Sequence, residues 1–150
     1  MVEKLPLTVE SMNKFKQTEL DQEQVLEFAK KITNKYLSLL PEDMIPAWDF
    51  DVANNPKEEK DASAAAVVAS ALFDLSTLVD TKEDQEKYYN AALKMLKSLS
   101  SENYSGVGKA DSFLLHSTGA KSLGWEIDVA LIYADYYYIE ALSRCKNLAN

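Results

Sequence analysis

All four prolines of this chain, Pro6, Pro41, Pro46 and Pro56, lie before residue 57, and all four glycines, Gly106, Gly108, Gly119 and Gly124, fall between 106 and 124. Proline removes a backbone donor and clashes with the preceding helical turn, and glycine inside a helix costs about 1 kcal/mol relative to alanine. Two long stretches, 57–105 and 125–150, therefore run without a helix breaker. The distribution predicts an all-α chain whose irregular backbone is confined to its first third and to one late loop.

Hydrophobic spacing predicts where the helices fall. From Gln22 to Leu40, Val25, Phe28, Ala29, Ile32, Tyr36 and Leu39 recur at steps of three and four, with Asp21 and Gln24 as a capping pair and Pro41 as the stop. Asp61 opens a second helix reaching about Val79, whose Ala62–Phe73 body is apolar or small on every face. Thr81 and Asp84 cap a third, to Leu99, with Tyr88, Ala91, Ala92, Met95, Leu96 and Leu99 on one side and lysines and glutamates on the other. A fourth is predicted from Trp125 to about Lys146, again without a broad polar face. Thr8–Lys16 reads as a short additional helix.

The second and fourth helices thus read as enclosed, the first and third as half-solvated. Concentric helical architectures alternate in this way, whereas a simple four-helix bundle gives four similar stripes. The expectation is a single domain, residues 1–150, forming part of an (α/α) toroid with inner and outer helices.

A net charge of −8 excludes a surface built for nucleic-acid phosphates or anionic lipid. One cysteine, Cys145, leaves no internal disulfide, and one histidine beside it gives too few ligands for a His/Cys metal site. The first residues have no signal-peptide pattern, and no run of 18 apolar residues occurs. The expectations are a cytoplasmic protein with no membrane or nucleic-acid partner and no cofactor.

The connection from Glu102 to Gly124 is long for a compact domain, and such loops are usually functional rims or lids. It holds the only histidine, His116, beside Ser117 and Lys121, a combination able to grip a carboxylate or sulfate. His116 can equally be a structural hydrogen-bonding residue. In Pro46-Ala47-Trp48-Asp49-Phe50-Asp51 aromatics alternate with carboxylates, as in surfaces that stack sugar rings. Trp48 and Phe50 can also seal the loop while the aspartates cap turns. Asp128 and Asp135, seven apart on the fourth predicted helix, would share one face about 10 Å apart along the backbone. Carboxyls of inverting glycosidases stand roughly 6.5–9.5 Å apart. The alternative gives Asp128 to the helix N-terminus and Asp135 to buried tyrosines. Tyr136, Tyr137 and Tyr138 read as core and rim.

Three segments in order carry a resemblance: Leu40-Pro41-Glu42-Asp43 with the Pro46–Asp51 segment, then Lys60–Ala66, then Glu126–Tyr138. Together they resemble the C-terminal part of unsaturated glucuronyl hydrolases, glycoside hydrolase family 88, from about residue 20 onward. The resemblance implies a six-hairpin (α/α) toroid and, as substrates, unsaturated uronic acids at the end of lyase-generated oligosaccharides. It implies aspartate acid–base chemistry without a metal. It also implies that the main catalytic aspartates belong to a part of the family not matched here, so Asp128 and Asp135 are only weak catalytic candidates. His116, Ser117, Lys121 and Trp48 are the substrate-binding candidates; residues 1–20 diverge from the family. Two functional readings stay open: a glucuronyl-hydrolase fragment inactive alone, or a non-enzymatic helical module binding an anionic sugar or protein. The apolar second and fourth helices of an open toroid also predict self-association or a complementing chain.

Overall fold

The computed structural model describes residues 22–53 and 55–149. The short helix expected over Thr8–Lys16, the Asp21 cap and the divergent 1–20 segment lie outside the described residues. Among those residues the chain is helical, with four α-helices: α1 (Gln22–Leu39), α2 (Ala62–Leu78), α3 (Lys82–Leu99) and α4 (Ile132–Leu148). Among the described residues, β-pairing occurs only as isolated antiparallel bridges. The chain divides into two units between residues 34 and 35.

In the first unit, Val25, Phe28 and Ile32 of α1, three residues of the expected apolar stripe, are all exposed. Lys30 pairs with Glu27 at 2.9 Å one turn away, a surface pair of small energetic weight.

The second unit is organised around α2. Its cap is as the sequence predicts: Asp61 Oδ1 accepts from the Ser63 N–H at 3.0 Å and from the Ser63 hydroxyl at 2.6 Å. Ala62, Ala65, Ala66, Ala69, Leu72 and Phe73 are all buried, because α2 packs against α3 on one side and α4 on the other while those two scarcely meet. The small side chains let both neighbours approach closely. From α3 come Tyr88, Ala92, Met95, Leu96 and Leu99, and from α4 Ala134, Tyr138 and Ala141. Each large apolar side chain enclosed here contributes about 1.5–3 kcal/mol. Thr81 caps α3 by accepting from the Asp84 N–H at 3.1 Å, again as expected.

The last helix departs from expectation in two ways. It begins at Ile132, seven residues after the expected start at Trp125. Glu126 and Asp128 hold φ of 49° and 54°, which a right-handed helix cannot contain, and the intervening chain pairs Ala120 with Trp125 and Ser117 with Val129. Helix α4 is also enclosed on one side only. Two of its charged residues turn inward: Glu140 accepts from the Ser70 hydroxyl of α2 at 2.6 Å, and Arg144 reaches Ser70 O at 2.8 Å and Asp74 at 3.0 Å. Ala134, Tyr138 and Ala141 are buried, but other apolar residues turn outward, with Ile132 88% exposed and Tyr136, Ile139 and Leu142 also exposed. The long apolar reading is correct in composition, but the direction of that surface is away from the core of this chain.

Candidate functional site

The long loop is an ordered structure built on three fixed points. At its start, Ser105 bridges Leu114, with Gly106 N–H donating to Phe113 O at 2.8 Å. A Cβ on Gly106 would stand 2.4 Å from the Ser112 carbonyl oxygen, so only glycine lets these two backbone segments come this close. Next, the Asp135 carboxylate of α4 accepts the backbone N–H groups of Phe113 at 3.1 Å and Leu114 at 2.9 Å. Third, the loop joins the start of α2: His116 O accepts from Ala62 N–H at 3.0 Å, Thr118 N–H donates to Asp61 at 3.2 Å, and Thr118 Oγ1 donates to Lys60 O at 3.1 Å.

These anchors present an exposed pair. His116 Nδ1 lies 2.6 Å from Asp128 Oδ1, and the two side chains are 45% and 50% exposed. Both residues sit in the left-handed region, His116 at φ 62° and Asp128 at 54°, a cost of order 1 kcal/mol or more each for non-glycine residues. Thr118 Oγ1 accepts the Asp128 N–H at 3.2 Å and so holds that turn. The Tyr104 ring meets His116 edge-on at 6.2 Å, and its hydroxyl donates to Asp43 at 3.0 Å. Burial, then the neighbouring Asp43 carboxylate, holds the Tyr104 phenol above its ordinary range. Asp43 in turn pairs with Lys60 at 3.2 Å.

A second cluster gathers the other candidates. Lys121 Nζ donates to Glu58 at 2.7 Å and to Glu59, and lies 5.4 Å from the centre of the Trp48 ring. Trp48 Nε1 donates to the same Glu58 at 2.9 Å. Hydrogen bonds from Lys121 hold both glutamates below the usual carboxylate value, and the two carboxylates hold Lys121 above its own. Glu58 also borders a cavity of about 440 Å³ lined by Leu40, Pro41, Ala47, Asn55 and Pro56, within the size range of small-ligand clefts.

The candidates expected from sequence thus separate. Trp48 and Lys121 are brought together; His116 is joined to Asp128. Among the described residues no hydrogen bond or ion pair links Lys121 to His116 or Ser117. Ser117 is fully buried, exchanges backbone hydrogen bonds with Val129 at 2.9 Å each way, and its Oγ has no partner among the described residues. The expectation that Asp128 and Asp135 share a helix face is corrected: Asp128 precedes α4, and Asp135 is occupied by loop amides. Glu58, Glu59 and Tyr104 were missed by sequence reasoning. The run Lys57-Glu58-Glu59-Lys60 has the pattern of a solvated surface, and nothing local points to Lys121 more than sixty residues away.

No family model matches the chain. An unsaturated glucuronyl hydrolase of Formosa agariphila is 41% identical over 111 residues, covering 73% of this chain and 27% of that protein. An unsaturated chondroitin disaccharide hydrolase of Streptococcus agalactiae is 35% identical over 127 residues, covering 83% of this chain and 31% of that protein. Among solved structures, an unsaturated glucuronyl hydrolase specific for heparin aligns with a TM-score of 0.79 at 44% identity, over 85% of this chain and 34% of that one. A Streptococcus agalactiae unsaturated glucuronyl hydrolase variant, solved with dGlcA-GalNAc6S, aligns at 0.72 and 32% identity, over 89% of this chain and 35% of that one. These neighbours are (α/α) toroids, and the helices here form part of one. The chain spans about a third of the length of these relatives.

Proposed function

We propose, for a chain related to the unsaturated glucuronyl hydrolases over about a third of their length, that it supplies one sugar-facing wall of such a toroid and does not turn over substrate alone. The substrate class is unsaturated uronic-acid oligosaccharides of the kind lyases release. The observation that carries this reading is the anchored loop, which spends hydrogen bonds and backbone strain to hold His116 and Asp128 exposed at one place. Trp48 offers a ring face for stacking, His116 a ring nitrogen for a sugar hydroxyl, and Ser117 and Lys121 hold the surrounding backbone and ring.

The lack of turnover follows from what the two weak catalytic candidates do. General acid–base catalysis on a ring double bond needs a carboxyl able to give a proton and another group able to activate water. The Asp135 carboxylate accepts two backbone N–H groups, and Asp128 is bound to His116. The test is incubation of purified chain with an unsaturated uronyl disaccharide, following the ultraviolet absorbance of its double bond. The expected result is binding, seen as shifts of the His116 ring signals, with no loss of absorbance. Turnover abolished by Asp128→Asn would overturn the second part. A reducing compartment, the cytoplasm, suits the single Cys145.

A second reading has its own support. Helix α4 exposes Ile132, Tyr136, Ile139 and Leu142 along one side, an apolar surface that a non-enzymatic module would use to bind a protein partner or a second copy. No described helix is long and apolar enough to cross a membrane, so this stripe is not a membrane span.

A further inference from the structure

The sequence points to Lys121 as a cation for an acidic group on a sugar, but its surroundings point the other way. Its ammonium has three donors, and two are given to Glu58 and Glu59. Its charge also lies over the Trp48 ring at 5.4 Å. The cluster is compact: the side chains of Lys121, Glu58 and Glu59 are only 26%, 22% and 29% exposed. Summed, two carboxylates and one ammonium leave one negative charge beside the indole. Trp48 Nε1, the ring's single donor, is likewise committed to Glu58.

We propose that Glu58 and Glu59 act as a charge filter on the Trp48 surface, making this site one for uncharged saccharide rings and barring sulfate or carboxylate groups from Lys121. This rests on the sugar-facing reading above and names the ligand class that this part of the wall takes. The chemistry is direct. An entering sulfate must displace one of two bonded carboxylates or sit beside both, and like charges at hydrogen-bond range in a half-buried site repel strongly. A neutral sugar meets no such cost. Its hydroxyls donate to the free lone pairs of Glu58 and Glu59, and its apolar ring face packs on the indole. Because Lys121 lowers the proton affinity of both glutamates, the filter is fully charged at neutral pH.

The test uses the full chain, nitrogen-15 labelled, with the Trp48 indole N–H as reporter and inorganic sulfate as the probe, against chloride at matched ionic strength. Wild type is expected to show no saturable shift. The Glu58→Gln/Glu59→Gln variant keeps an acceptor for the indole and removes two charges, so it is expected to bind sulfate at least about tenfold more tightly. Adding Lys121→Met is expected to abolish that gain. Saturable sulfate binding by wild type, a folded double variant that stays silent, or a gain that survives Lys121→Met would each overturn the filter. In parallel, sulfated and unsulfated forms of one unsaturated disaccharide are titrated into wild type, with the unsulfated form expected to bind better. Binding of neither form overturns the sugar-facing reading, while the sulfate arm still decides the filter.

Discussion

Asp61 Oδ1, the atom that caps α2, also accepts the backbone N–H of Thr118, 57 residues further along the chain, at 3.2 Å. One carboxylate oxygen therefore begins a helix and ties down the loop that carries the candidate site. Loss of that carboxylate is expected to do both kinds of damage. Asp61→Ala removes a cap and a loop anchor, a loss of about 2–3 kcal/mol. Asp61→Asn, which still caps, is expected to lose less than half of that. Urea unfolding followed by far-ultraviolet circular dichroism measures both.

Two glycines of the loop separate backbone crowding from side-chain crowding. A Cβ at Gly106 meets the Ser112 carbonyl oxygen at 2.4 Å, which only a shift of the loop backbone relieves. A Cβ at Gly119 meets Glu126 Oε2 at 2.5 Å and the Tyr133 hydroxyl at 2.8 Å, both ends of flexible side chains. Gly106→Ala is therefore expected to cost about 2–3 kcal/mol and Gly119→Ala about 1 kcal/mol or less. Equal losses in thermal unfolding would contradict the assignment.

Acid and base should act on the Lys121 cluster in opposite directions from a common plateau. Glu58 and Glu59 have folded-state values below the ordinary 4.5, so their contribution is present above 4.5 and is lost as pH falls through the lowered values. Lys121 has a folded-state value above 10.5, so its contribution is complete below 10.5 and is lost as pH rises through the raised value. Denaturation midpoints measured across pH are expected to fall at both ends. In Glu58→Gln/Glu59→Gln both slopes are expected to flatten relative to wild type.

The outward apolar side of α4 is expected to make the chain self-associate. Sedimentation at micromolar concentrations should give a mass that rises with concentration. Ile139→Glu, placed on that exposed side, is expected to give the monomer mass without unfolding the chain. A stable wild-type monomer would count against the second functional reading.

What the sequence made legible was what is local. Asp61 and Thr81 cap their helices within two or three residues, Pro41 follows α1 closely, and the apolar side of α3 is buried where its spacing puts it. The start of α4 was not legible, because Trp125–Leu131 has helical composition while its conformation is set by pairing with residues 117–120. The same limit applies to the site. The His116–Asp128 contact spans twelve residues and Lys121–Glu58 sixty-three, separations at which spacing carries no signal. Relatedness located the region; only the folded chain showed which charges meet there.

The N–H of Ala62 donates to His116 O, so the first turn of α2 is finished by a residue that follows the whole of α3. The helix that organises this unit thus takes the partner of its first backbone N–H from beyond the hairpin it forms with α3. The loop after α3 thus closes back on the root of α2, and α4 follows it in the chain. A disturbance at the root of α2 therefore reaches the loop that carries His116 directly, through one backbone hydrogen bond.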